Sequence, residues 1–199
     1  MNYLLGDLLK YKDIFTGKEA KNMKKKKIRN LVLSAMFMAL GFVLPFFTGQ
    51  IPEIGSKLLP MHIPILLCGF ICGWPYGLVV GFLTPVLRSL MFTTPPMYPV
   101  AVAMAFELAA YGALAGILYK LLPKKPTYVY VSLILAMLGG RVVWGGAQIV
   151  LLGLQSKAFT WPMFMAGAFV NAIPGIVLQL ILIPLLLFAL RDANLLKEG

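Results

Sequence analysis

The sequence predicts an all-α integral membrane protein, a compact bundle of six transmembrane helices with both termini on the cytoplasmic side (N-in/C-in). Three observations predict it. Of the 199 residues, 60% are hydrophobic and 13% charged, whereas soluble domains carry roughly 25% charged residues. The apolar residues fall into runs of bilayer length, for which a helix needs about 20 residues. The net charge of +11 is distributed unevenly. The N-terminal lysines and arginines from Lys10 to Arg29, with Lys120, Lys124, Lys125, Arg191 and Lys197, fall on one side, and Lys57 and Lys157 on the other. An excess of Lys and Arg marks the cytoplasmic face, where anionic lipid is their partner. The charge therefore implies a bilayer and no nucleic acid.

The elements follow in order. Residues 1–22 are polar and mixed in charge, an N-terminal extension that is disordered or interfacial. Leu4, Leu5, Leu8 and Leu9 can line one face of a short interfacial helix. No apolar stretch of signal-peptide type precedes Lys24. Met23, followed at once by four lysines, reads as a native start. The membrane domain is expected over residues 23–192 and a cytoplasmic tail over 193–199. The first span is placed at residues 28–47, and a Gly- and Pro-containing loop at 48–60 follows. The second is short, at 61–73, and Trp74-Pro75 turns the chain into the third at 76–92. Pro95 and Pro96 separate it from the fourth at 98–121, and Pro123 and Pro126 flank the break before the fifth at 128–154. The sixth is placed at 162–190 as one helix, kinked by Pro174 and Pro184.

Six polar side chains interrupt these runs: His62, Arg88, Glu107, Arg141, Gln148 and Asn171. At 1.5 Å per residue, Arg88 lies about 6 Å, and Glu107 and Asn171 about 13 Å, inside the outer ends of their helices. Buried charges cost at least about 3 kcal/mol each on insertion scales, so these groups are expected to face one another or a solvated cavity. Mutual satisfaction explains part of the set, with Arg88 or Arg141 paired to Glu107 and Asn171 bonded to a carbonyl freed near Pro174. Two arginines against one carboxylate leave a positive charge that an anionic solute would complete. Trp144, between Arg141 and Gln148, is too deep for an interfacial belt and is a candidate pocket wall. A lone His62 at a helix start reads first as a loop anchor. Cys68 and Cys72, four apart in an apolar helix, read as buried structural thiols and not as a disulfide. No metal-ligand cluster, cofactor motif, catalytic motif or nucleotide-binding loop is visible.

Small residues form a second pattern. Ala35 and Ala39 in the first span, the ladder Gly73, Gly77 and Gly81, and the pair Gly112 and Gly116 each recur at four-residue spacing. Such spacing lets helices approach closely. Helix packing inside the bundle suffices for the glycines, whereas the alanine face follows a basic lead-in and suits docking to another membrane protein.

The basic N-terminus, the alanine-x-x-x-alanine first helix, six short spans and the stretch LPMHIPILLCGFICGWPYGLVVGF together resemble the substrate-binding S-components of energy-coupling factor (ECF) transporters, in the pantothenate-transporter-like group. The resemblance covers about residues 23–192. It implies a high-affinity substrate-binding subunit of an ABC-type importer in the bacterial cell membrane. It also implies a transmembrane coupling subunit and, through it, two cytoplasmic ATPases as partners. Ala35 and Ala39 match the family's docking motif, and the first loop would close over the site. Ligand residues vary within the family, so Arg88, Glu107, Arg141, Trp144, Gln148, Asn171 and His62 rest on depth and chemistry alone. Two intramembrane arginines suit a small carboxylate such as pantothenate. A neutral heterocyclic precursor (a pyrimidine, a benzimidazole nucleoside or a queuosine precursor) is the alternative. From other classes, an intramembrane enzyme would have only His62 and Glu107 to work with, and a membrane assembly protein would not need convergent charges.

Overall fold

The computed structural model describes residues 2–48, 57–123 and 125–192, with residues 2–19 as backbone. Most of the expected first loop, residues 49–56, and the tail at 193–199 lie outside the described residues. The described chain is helical and has no strand. Its helices are α1 (Asn2–Thr48), α2 (His62–Cys72), α3 (Trp74–Phe92), α4 (Val102–Leu121), α5 (Pro126–Gly153), α6 (Trp161–Ala168) and α7 (Ile173–Asp192). Five segments are long and apolar enough to cross a membrane: Ala20–Thr48, Trp74–Phe92, Met97–Leu121, Pro126–Gly153 and Trp161–Asp192. They make this a multi-pass membrane protein.

The short second helix explains the architecture. α2 has 11 residues, about 16 Å at helical rise, which is too little to span a bilayer alone. Ten of its residues are buried, from His62 through Phe70 and Cys72. A helix that is apolar all round belongs inside a bundle, and α1, α3, α4 and α7 all pack against α2. The large exposed side chains instead belong to the outer helices, as with Leu31 and Val32 on α1, Val142 and Ile149 on α5, and Ile181 and Leu185 on α7. In lipid these carry no penalty.

Glycines set the closest approaches. A Cβ on Gly77 would lie 2.6 Å from the Gly112 carbonyl oxygen and 2.8 Å from the Gly69 Cα. Gly81 abuts the Leu108 carbonyl, and Gly116 abuts the Trp74 backbone. The ladder in α3 thus packs against α4 as well as against α2. Gly73, with φ +95°, makes the turn between α2 and α3 that a side chain would strain.

Two elements differ from expectation. The α1 backbone runs as one helix of 47 residues, so residues 2–22 continue into the first span. The helix expected at 162–190 is two helices, α6 and α7, joined through Phe169 (φ −123°, ψ −64°) and a 3₁₀ turn at Val170–Ala172. Pro174 falls in the first turn of α7, where its missing N–H costs nothing. It cannot donate to the residue 170 carbonyl, so the break sits one turn earlier than the proline itself. Pro184 stays inside α7. Before α4, a wide turn at Met97–Ala101 closes with the Ala101 N–H donating to the Pro96 carbonyl at 2.9 Å. The Tyr98 hydroxyl donates to the Leu151 carbonyl at 2.5 Å and ties this turn to the end of α5.

Candidate functional site

His62, Glu107 and Arg141 meet where α2, α4 and α5 converge. Arg141 Nη1 donates to Glu107 Oε1 at 2.7 Å, and His62 Nε2 stands 3.5 Å from the same oxygen. His62 is 1%, Glu107 2% and Arg141 5% exposed. Each helix has a local reason to bring its group here. His62 opens α2, its backbone N–H held by the Leu59 carbonyl at 3.0 Å. Glu107 lies on the α4 face that also carries Ala103, Leu108, Tyr111 and Ala115, all buried. Arg141 follows Gly140, whose lack of a side chain leaves room for the Tyr111 ring, 3.0 Å from where a Cβ would lie. Tyr111 in turn packs edge-on against His62, with ring centroids 5.2 Å apart. A buried ion pair of this kind does little for net stability, but removing one partner costs about 3–5 kcal/mol.

The pair leaves chemistry over. Arg141 Nε and Nη2, and both His62 ring nitrogens, are buried without a hydrogen-bond partner among the described residues. Glu107 engages only the Nη1 end of the guanidinium. The Nε–Nη2 edge is the planar fork that matches a carboxylate in two parallel hydrogen bonds. The cluster therefore presents a buried, preorganised donor edge, stabilised from behind by its own carboxylate.

The other expected residues are distributed around the bundle. Arg88 is buried, but its guanidinium reaches α1, where Nη1 donates to the Phe42 carbonyl. It lies 4.6 Å from the Phe46 ring centroid and 5.5 Å from that of Phe92. Among the described residues no carboxylate pairs with Arg88, and Glu107 pairs with Arg141. Pro45, within α1, removes a ladder donor one turn from Phe42, in the stretch where Arg88 attaches. Trp144 packs with Phe159 and Phe164, at 5.8 and 6.2 Å between centroids, and against the bare backbone of Gly167. Gln148 is half-buried with its Oε1 unpartnered. Asn171 is exposed on the 3₁₀ turn. Ala35 and Ala39 lie on the exposed face of α1, while Ser34, Phe37 and Gly41 turn inward.

Several inward polar groups escaped the sequence reading, Tyr111 and Gln179 among them. Tyr111 is 1% exposed and Gln179 fully buried, the latter with both amide atoms unpartnered. Gln179 interrupts an apolar run just as Gln148 does, which was the available signal. Cys68 and Cys72 are free buried thiols, and Cys68 Sγ donates to Ser34 Oγ at 3.6 Å. No cluster of three or more metal-ligating side chains occurs among the described residues. An open cleft of about 380 Å³ between α5 and α6 is walled by Val142, Gly145, Gly146 and Ile149 on one side and Trp161 and Phe164 on the other. It includes none of the charged cluster, and apart from Thr160 its side chains are apolar.

The chain is a multi-pass helical membrane protein with a desolvated ion pair inside its bundle, and ionisable groups at membrane depth mark a candidate functional site. Residues 29–187 match the family model "ECF transporter, substrate-specific component", and the chain belongs to that family. No significant match to the chain occurs among curated proteins or among solved structures. The family comprises transporter subunits, not enzymes. Membership makes the chain a substrate-specific subunit of an ECF importer and implies association with the ECF transmembrane and ATPase module.

Proposed function

We propose that this chain binds a small carboxylate-bearing vitamin or precursor, of the pantothenate type, at the Arg141–Glu107–His62 cluster. The observation that carries the reading is the unpartnered Nε–Nη2 edge of Arg141, buried and held by Glu107 at its other end. Trp144 and Gln148 follow on the next turns of α5 and extend the site outward. Arg88 and Asn171 contribute at its outer margin. The topology is six helices crossing or entering the membrane with both termini inside, which the basic lead-in at Lys24–Arg29 and Arg191 at the end of α7 support. Localisation to the bacterial plasma membrane follows from that reading.

A second reading is favoured by one observation. Glu107 neutralises Arg141, so the charge surplus suggested by composition is smaller at the cluster itself. A neutral heterocycle with a donor and acceptor edge fits that balance. Equilibrium binding of radiolabelled pantothenate to the purified chain separates the two. Saturable binding that pantothenol, lacking the carboxylate, fails to compete is the expected result. Preference for neutral heterocycles moves the assignment to the second reading, and no binding across a full vitamin panel overturns both.

Docking is proposed at Ala35 and Ala39, on the exposed face of α1, through which the coupling subunit and its two ATPases are engaged. Small residues allow a partner helix to approach to backbone distance. Ala35→Trp and Ala39→Trp should each abolish co-purification with the coupling subunit and leave solute affinity within about two-fold of wild type, since exposed positions rarely affect the fold. Loss of both properties together would remove the support for a docking face.

A further inference from the structure

Gln179 is the most deeply buried polar side chain on α7, with no exposed surface. Neither its Oε1 nor its Nε2 has a hydrogen-bond partner among the described residues. Buried amides are rarely left in that condition, and each such group calls for an explanation. The position of α7 supplies one. Gly175, Gln179, Ile183 and Leu187 recur every four residues and are all buried, so they form one inward face. At the outer end of that face the Gly175 N–H donates to the Lys57 carbonyl at 3.0 Å. A Cβ on Gly175 would collide with Leu58, 2.9 Å away. Leu58 lies directly before the turn that presents His62. Gln179 is one helical turn inward of Gly175, about 6 Å, and α7 packs against α2 and α5, the helices that carry His62 and Arg141. Beyond it the face is wholly apolar, with Ile183 and Leu187 in the hydrophobic core. Gln179 is therefore the last polar position before the core on the inward face of α7.

We infer that Gln179 is a recognition arm of the same solute site, and that the solute carries an amide-type pair, an N–H donor beside a C=O acceptor, in addition to its carboxylate. This rests on the proposed reading of the Arg141 edge. The guanidinium offers only donors, whereas a carboxamide offers two donors and an acceptor. A side chain that must both give and accept matches a group that does the same. A carboxylate at that point, which only accepts, would leave Gln179 Oε1 buried and unpaired. The inference assigns specificity to Gln179 and anchoring to Arg141.

The test compares the wild-type chain with Gln179→Met, which keeps the length of the side chain and removes its polarity. Probes are carboxylate vitamins with an N–H beside a C=O, as an amide or a cyclic urea (pantothenate, biotin), and without one (nicotinate, lipoate). Binding is measured by titration, with the melting temperature of the unliganded protein as control. An amide-bearing probe should bind best, and Gln179→Met should weaken it about 10-fold or more, as for loss of buried hydrogen bonds. Affinity for the amide-free carboxylates should not change. The unliganded melting temperature should hold or rise, because two unpaired buried atoms are removed. Tightest binding of an amide-free carboxylate overturns the inference and leaves the site reading standing. So does unchanged affinity in Gln179→Met, or a lowered melting temperature with equal weakening of every probe. If no carboxylate binds, the site reading itself falls.

Discussion

Arg141→Lys is expected to lower solute affinity about 10- to 100-fold, the cost of charge-assisted hydrogen bonds worth about 1.5–3 kcal/mol, while the protein stays folded. Lysine keeps the positive charge that Glu107 requires at 2.7 Å. It cannot reproduce the planar Nε–Nη2 edge, because an ammonium is a point charge without a fork. Arg141→Ala acts on two properties at once. It removes the edge and strands Glu107 in an interior where His62, at 3.5 Å, and the Tyr111 hydroxyl remain nearby without offsetting its charge. That should destabilise the bundle by about 3–5 kcal/mol. The double variant Arg141→Met/Glu107→Gln restores the charge balance, so it should recover most of the melting temperature and none of the binding. Isothermal titration and thermal unfolding in detergent check both. Equal solute affinity in wild type and Arg141→Lys would mean that the edge does not touch the solute. Arg88→Ala provides the contrast. Arg88 is held by the Phe42 carbonyl and two phenylalanine rings, so its loss should loosen α1 from α3 more than it weakens anchoring.

Much of the fold was legible because lipid imposes long apolar runs and prolines interrupt them. The five long spans and the short second helix follow from that alone. The break near Pro174 was displaced because a proline frees the carbonyl four residues before it. The charged residues were legible as a set but not as contacts. Depth along a helix comes from counting residues, whereas the direction of a side chain depends on how each helix is rotated and packed. Arg88 and Arg141 looked equivalent on depth and charge. Glycine at 140, the Tyr111 ring and the α4 face bring Arg141 to Glu107, while Arg88 finds a carbonyl beside the Pro45 interruption of α1. Gln179 illustrates the same limit in reverse, since an isolated glutamine in a leucine-rich run gives no hint of which way it faces.

Gly112 should be the least tolerant position in the bundle. Its absent Cβ is the space occupied by the Gly77 carbonyl, and the Cβ of Gly69 or Gly77 would meet the Gly112 carbonyl in return. These neighbours are backbone, so no rotamer change can relieve a new side chain. Overpacking a well-filled interior costs typically about 1–3 kcal/mol and sometimes more. Gly112→Ala should fall at the upper end of that range, and Gly112→Leu should prevent folding. The damage should reach the site, because Glu107 and Tyr111 lie on the same α4 face that would be pushed outward. Solute affinity in Gly112→Ala should therefore fall together with the melting temperature. Gly77→Ala should have a similar effect, and the double variant should cost less than the sum, since a contact already opened accommodates the second methyl. Gly146→Ala is the control. Nothing lies within 4 Å of its Cβ direction, and alanine is the better helix former by about 1 kcal/mol, so its melting temperature should hold or rise. Full additivity of Gly77→Ala and Gly112→Ala would show that the two glycines do not share one crossing. The helices would then be held at that distance by other contacts, and the position of Glu107 would have to be explained without the glycine seam.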